Sequence, residues 1–189
     1  KELIARAIHG TGERRAKPAP PPLEWPRVTV QLPIYNEFYV VERLIAAAGA
    51  LDYPRDRLEI QVLDDSTDAT RQIAERLTQA QAAGGLNIHH LHRTDRVGYK
   101  AGALREGLRQ AAGEFLAIFD ADFIPPPYFL KRMIPYFSAP AVGMVQARWG
   151  HENRTSSALT RAQATLLDGH FVIEHKVRYD HGLFFNFNG

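Results

Sequence analysis

Ile60-Gln61-Val62-Leu63-Asp64-Asp65-Ser66-Thr67-Asp68 decides how this chain is read. A short, largely apolar run of strand length ends in a cluster of carboxylates. Phe115-Leu116-Ala117-Ile118-Phe119-Asp120-Ala121-Asp122 repeats the arrangement, with its two acids at i and i+2. In an open α/β sheet, ligands bind outside the carboxyl ends of the strands. Both acidic groups would then stand on one rim of one sheet. Crowded carboxylates repel one another and call for a cation or a donor-rich ligand. A divalent metal holding a nucleotide diphosphate meets that need.

Outward from these two runs, strand and helix patterns alternate. Val28, Val30 and Leu32 form a first strand that Pro33 should stop. Phe38, Val41, Leu44, Ile45, Ala48 and Leu51 recur at helical spacing, ending at Tyr53-Pro54. Next come a strand over 58–63 and a helix over 69–82, with Thr67 or Asp68 as N-cap and Gly84-Gly85 beyond the helix end. Further strands are expected over 86–91, 114–119 and 142–146. Helices are expected over 100–112 and 127–137, with a long one over 156–178 that turns Leu159, Ala162, Leu166 and Phe171 or Val172 inward. The pattern predicts an α/β fold, a mainly parallel sheet with helices on both faces.

Residues 1–27 read as a basic, proline-rich arm or linker, and 28–189 as the domain proper. Leu3, Ile4, Ala7 and Ile8 could start a short amphipathic helix. Pro18, Pro20, Pro21, Pro22 and Pro26 make the rest of the arm an extended, stiff linker. Arg6, Arg14, Arg15 and Lys17 suit an anionic membrane surface. The 189 residues carry 45% hydrophobic and 23% charged side chains and a net charge of +2, an ordinary globular balance that gives no argument for nucleic acid. With no cysteine, disulfides and thiolate metal sites are excluded. No apolar run approaches the roughly 18 residues of a membrane span.

The candidate site gathers on the strand ends. Asp120 and Asp122 can point toward one hard cation, Mg²⁺ or Mn²⁺, which takes a few protein oxygens and the rest from phosphate and water. Lys100 lies in the turn Gly98-Tyr99-Lys100-Ala101-Gly102-Ala103-Leu104, where glycines permit close approach and a helix N-terminus favours an anion. In Pro33-Ile34-Tyr35-Asn36-Glu37, Tyr35 could stack on a base, while Asn36 and Glu37 could bond a base or ribose. Equally, Asn36 could cap the next helix. Gly10-Thr11-Gly12 begins like a dinucleotide loop but follows no strand and precedes prolines. His89, His90 and His92 lack evident carboxylate or cysteine partners, which argues against a metal. Trp149 and Phe184-Phe185-Asn186-Phe187 read as core.

These segments, in this order, resemble family 2 glycosyltransferases with a GT-A fold. With Val145-Gln146-Ala147-Arg148-Trp149 and Phe187-Asn188-Gly189, the likeness is nearest to cellulose synthase-like proteins of the glucomannan-synthase type. It runs from Val28 to Gly189. The resemblance implies that Pro33, Tyr35, Glu37 and Asp64 or Asp65 hold the nucleoside and that Lys100 lies near the diphosphate. Asp120 would approach ribose or phosphate and share the metal with Asp122, the main ligand. Gln146, Arg148, Asn188 and Gly189 would shape the sugar and acceptor region. The implied reaction moves a hexose, with inversion, from UDP-glucose, GDP-mannose or GDP-glucose to a β-linked glycan at the cytoplasmic face of a membrane. The family's general-base Asp and its Gln-x-x-Arg-Trp motif do not occur in these 189 residues. The expectation is therefore a nucleotide-sugar and metal site that is inactive by itself, its parent anchored by transmembrane segments not found here. Rival readings are a non-catalytic nucleotide-sugar sensor and an aspartate-based phosphotransferase.

Overall fold

The computed structural model describes residues 5–9, 18–139, 142–147 and 155–169, with residues 173, 177, 178 and 181. In chain order its elements are β1 (Ala5–His9), β2 (Val28–Ile34), α1 (Val41–Gly49), β3 (Leu58–Asp64), α2 (Thr70–Ala83) and β4 (Ile88–His92). Then come α3 (Tyr99–Gln110), β5 (Phe115–Ile118), α4 (Phe129–Met133), β6 (Val142–Ala147) and α5 (Ala158–Gly169). The chain forms two compact units, one of Pro22–Lys131 and one of Lys1–Pro21 with Arg132–Gly189.

The Pro22–Lys131 unit holds a four-stranded parallel sheet in the order β4-β3-β2-β5. Helices α1, α2 and α3 cover it, so the α/β architecture is the one the alternation predicts. Successive strand side chains point to opposite faces, and here the two faces differ in kind. One carries Val28, Val30, Leu32, Leu58, Ile60 and Val62, none more than 2% exposed. The other carries Thr29, Gln31, Glu59 and Gln61, buried and mutually bonded. Thr29 Oγ1 donates to Glu59 Oε2 at 2.6 Å, and Gln31 Nε2 to Gln61 Oε1 at 3.0 Å. The amides of Ala112 and Gly113 donate to Glu59 Oε2 and Thr29 Oγ1, both at 2.9 Å. Helix α3 lies against this polar face through Gly107, where a Cβ would fall 2.6 Å from Gln31 Nε2 and 2.8 Å from Gln61 Oε1. A buried polar face is tolerable because its members pair with one another.

Pro33 does not stop β2, which runs on to Ile34 in register with Asp64. Gln31 O accepts from Phe119 N on the β5 side, whereas Ile34 O accepts from Asp65 N on the β3 side. By alternation Pro33 faces the β5 side, where pairing has already ended at Gln31 and Ile118. Its missing N–H therefore costs no ladder bond.

In the other unit, β1 and β6 form a separate antiparallel pair, Ala5 opposite Ala147 and Arg6 opposite Gln146. Where a short helix is expected near Lys1–His9, Ala5–His9 is thus a strand, and Leu3 and Ile4 lie outside the described residues. A segment this short does not sustain a helix alone, and the ladder with β6 satisfies its backbone instead. The helix expected over 127–137 is α4 followed by a 3-10 turn over Ile134–Ser138, where Pro135 cannot continue an α-helical ladder. Of the long helix expected over 156–178, α5 covers Ala158–Gly169. Its Leu159 and Leu166 are exposed and Ala164 is buried, contrary to the expected inward face. Periodicity identifies an apolar face without naming what covers it. Phe171 and Val172 lie outside the described residues. Among the described residues, no helix is long and apolar enough to cross a membrane.

Candidate functional site

The strand ends of the four-stranded sheet surround a cleft of about 350 Å³. Pro33, Tyr35, Glu37, Asp65, Lys100, Asp120 and Asp122 all line it, joined by Arg96 and Ala103. Every member of the sequence-derived nucleotide and metal set within this unit is present except Asp64. A larger cavity, about 500 Å³, lies beside β4 among Glu59, Gln61, Glu75, His89 and Gln110. It lacks Lys and Arg, so size alone does not make it the anion site.

Two adjacent aspartates divide their roles by burial. Asp64 is 0% exposed and accepts hydrogen bonds from Ser66 N at 2.7 Å and, with His90 Nε2 as donor, at 2.9 Å. His92 Nδ1 stands 3.4 Å away. Burial alone would raise the Asp64 pKa, but the bonds from His90 and Ser66 outweigh it and bring the carboxyl below its ordinary value. Asp64 is therefore a support beneath the rim, and His90 has the carboxylate partner that the sequence did not reveal. Among the described residues, no cluster of three or more His, Asp or Glu side chains suits a metal.

Asp65 faces the cleft and takes both arms of Arg93, Nε at 2.7 Å and Nη2 at 2.5 Å. Donating to the Asp65 carboxylate holds the Arg93 pKa above its ordinary value. Arg93 also donates from Nη2 to Tyr99 O at 3.1 Å. It thus ties the end of β4 to the Asp65 rim and to the first residue of α3. Sequence reasoning missed Arg93, although a base directly after β4 stands in the same position as the acids after β3 and β5.

Asn36 does not cap α1, whose N-cap position is Val40, and is not among the residues that line the cleft. It sits at φ 55°, donates its N–H to Ser66 Oγ at 2.9 Å and accepts from Thr67 N at 2.9 Å, locking the exits of β2 and β3 together. Asp68 Oδ1 accepts from Thr70 N at 2.9 Å just before α2, whose N-cap position is Ala69 and not the expected Thr67 or Asp68.

The glycine-flanked loop is shaped by backbone need. Gly98 and Tyr99 both have positive φ, 76° and 49°. At Gly102 a Cβ would lie 2.0 Å from Val97 O, so only glycine lets the loop fold onto the first turn of α3. This sets Lys100 Nζ 2.5 Å from Asp120 Oδ1. It also sets the Arg96 guanidinium carbon 3.1 Å from the Tyr35 ring centroid. One face of Tyr35 is therefore covered by a cation and not open to a base.

Glu37 has its pKa raised by burial and by the nearby charge of Asp122. A hard cation of the Mg²⁺ class binds through one or two carboxylates plus substrate phosphates, so Asp120 and Asp122 are a fitting donor set. The electrostatic pressure of Asp122 on Glu37 is what a cation there would relieve. Gln146 lies on β6, in the other unit. Arg148, Trp149, Asn188, Gly189 and the Phe184–Phe187 cluster lie outside the described residues.

Comparison with known proteins gives a concordant result. The family described as Glycosyl transferase family 2 matches residues 29–187. A glucomannan 4-beta-mannosyltransferase 2 of Arabidopsis thaliana is 48% identical over 170 residues, which are 87% of this chain and 32% of the relative. A probable glucomannan 4-beta-mannosyltransferase 7 of Oryza sativa subsp. japonica is 44% identical, covering 88% of this chain and 29% of the relative. The chain thus spans about a third of the length of these relatives. Among solved structures, the mannosyltransferase PcManGT of Pyrobaculum calidifontis, in complex with GDP-Man and Mn²⁺, superposes with a TM-score of 0.61. It is 38% identical and the match covers 69% of this chain and 38% of that one.

Proposed function

The chain belongs to glycosyl transferase family 2, and from that premise we propose that its cleft binds a nucleotide diphosphate sugar with a divalent metal, as the donor site of a hexosyltransferase. The observation that carries the reading is the cleft at the parallel strand ends, where Asp65, Lys100, Asp120 and Asp122 meet Tyr35 and Glu37. The relatives named for mannosyl transfer and the neighbour bound to GDP-Man favour GDP-mannose over UDP-glucose as donor. A β-linked glycan is the acceptor that the relatives named for glucomannan 4-beta-mannosyl transfer favour; a membrane face rests on the family resemblance of the sequence alone.

In this reading Glu37 and Asp65 hold the nucleoside, with Asp65 fixed by Arg93. Asp120 and Asp122 would hold Mn²⁺ or Mg²⁺, which would neutralise the departing nucleoside diphosphate. Lys100, hydrogen-bonded to Asp120, would move between that carboxylate and a phosphate oxygen. An acceptor hydroxyl would attack the anomeric carbon from the face opposite the leaving group, inverting its configuration.

Calorimetric titration with GDP-mannose, UDP-glucose and GDP-glucose, in Mn²⁺, Mg²⁺ or chelator, tests this directly. GDP-mannose should bind most tightly and lose affinity in chelator. In Asp122→Asn the metal-dependent part of that affinity should vanish, because a neutral amide is a poor ligand for a hard cation. Unchanged Mn²⁺-dependent affinity in Asp122→Asn would remove the metal assignment.

A further inference from the structure

We propose that Arg96 grips the diphosphate of the bound nucleotide, with Tyr35 as the platform that aims it; this rests on the nucleotide-diphosphate reading of the cleft. The cations of the rim differ in their partners. Arg93 is held by both oxygens of Asp65, and Lys100 by Asp120 at 2.5 Å. Arg96 lines the same cleft and has no carboxylate partner among the described residues. Its guanidinium carbon instead stands 3.1 Å over the Tyr35 ring and 5.2 Å from that of Tyr99.

A cation over an aromatic face is held by the ring quadrupole, and that attraction occupies none of the five N–H donors at the guanidinium edge. The Arg96 Nε is buried without a hydrogen-bond partner. A buried, unpaired donor is costly, so such a group is most easily explained by an acceptor that arrives with the ligand. The planar fork of an arginine matches the paired oxygens of a phosphate, whereas an ammonium acts as a point charge. The cleft otherwise offers four carboxylates, Glu37, Asp65, Asp120 and Asp122, which would repel a diphosphate. A cation not already paired with one of them adds to a bound metal in offsetting this repulsion. Gly98 and Tyr99, both at positive φ, lie between Arg96 and Lys100, which reach the cleft onto Tyr35 and onto Asp120 respectively. Tyr35 is then a positioning residue for Arg96 on the covered face of its ring.

The test compares GDP, GMP and guanosine, each titrated calorimetrically in Mn²⁺ against the wild-type chain, Arg96→Gln, Arg96→Lys, Tyr35→Ala and the double variant. Arg96→Gln should weaken GDP by about tenfold or more, the loss expected of a charge-assisted hydrogen bond, and leave guanosine unchanged. Arg96→Lys should recover only part of the loss, because it keeps the charge without the fork. Tyr35→Ala should also weaken GDP more than guanosine, and should add little to Arg96→Gln in the double variant. Equal losses for GDP and guanosine would overturn the proposal in favour of base reading, and unchanged GDP affinity in Arg96→Gln would overturn it outright. A wild-type chain that binds neither GDP nor UDP would bring down the nucleotide reading itself. Binding by the wild type with no effect of Arg96→Gln removes the Arg96 assignment alone.

Discussion

At the scale of single residues, the acidic rim works because neighbouring carboxylates are assigned opposite surroundings. Asp64 is sealed beneath the rim by His90 and Ser66, while Asp65 faces the cleft with Arg93 across both its oxygens. The bidentate pair does more than neutralise charge, since Arg93 also holds Tyr99 O of the loop that presents Arg96 and Lys100. Asp65→Asn should therefore act twice. Stability should fall by about 1.5–3 kcal/mol, the range for hydrogen bonds to charged groups, read as a shift in denaturant midpoint at constant slope. Guanosine should weaken through the lost nucleoside contact, and GDP at least as much, because the segment that presents Arg96 and Lys100 is affected as well. A loss confined to GDP, with stability unchanged, would place Asp65 on the phosphates instead. The acids themselves could be read directly from the sequence, since each follows a strand. Arg93 and Arg96 could not, because their meaning depends on partners that lie 28 and 61 positions away, Asp65 and Tyr35.

At the scale of elements, what could be read was what repeats within one segment. Strands β2 to β5 and helices α1 to α3 announce themselves by apolar periodicity and by glycines at their ends. What could not be read was which element covers which. The chain's first strand looks helical in isolation and becomes β1 only through its register with β6. The exposed Leu159 and Leu166 of α5 make the same point from the other side. The interface of α3 with the polar sheet face shows how strict such pairing is. It depends on Gly107, where a Cβ would meet Gln31 Nε2, Gln61 Oε1 and Leu63 Cδ2 within 2.8 Å. Helix propensity alone predicts that Gly107→Ala should stabilise α3 by about 1 kcal/mol. Overpacking costs about 1–3 kcal/mol and would also break the Gln31–Gln61 bond, so the net change should be a loss. Thermal denaturation decides the sign. Gly143→Ala, on β6, where a Cβ meets nothing within 4 Å among the described residues, serves as an unpacked control and should leave the melting temperature nearly unchanged. A stabilised Gly107→Ala would mean that α3 can lift away from the sheet without penalty.

At the scale of the whole molecule, stability should depend on pH through two carboxyl groups whose pKa values move in opposite directions. Asp64 is held below its ordinary value, so its contribution is present above about 3.8 and disappears as pH falls through the folded value beneath that. Glu37 opposes it. Its pKa is raised from 4.5, so the favourable term is complete below that value and lost as pH rises through the folded pKa, leaving the charged cleft costly near neutrality. At the alkaline end Tyr53 is pushed up to about 12, chiefly by burial and then by the charge of Glu114. Its hydroxyl donates to Pro26 O at 2.7 Å, fastening the segment that leads into β2. Because the folded state keeps this proton longer than the unfolded chain, the stabilisation is complete below pH 10 and is lost between 10 and about 12. Tyr53→Phe removes both the bond and the titration. The stability difference between wild type and Tyr53→Phe should be about 1 kcal/mol at pH 8, the usual net worth of one hydrogen bond, should shrink above pH 10 and should reverse in sign toward pH 12, because a shift this large outweighs one hydrogen bond. Denaturant melts of the two proteins at matched pH give this difference free of the other tyrosines and lysines, which titrate in both. A difference that stays constant to pH 12 would show that Tyr53 ionises at its ordinary value and that the Pro26 bond does not hold its proton.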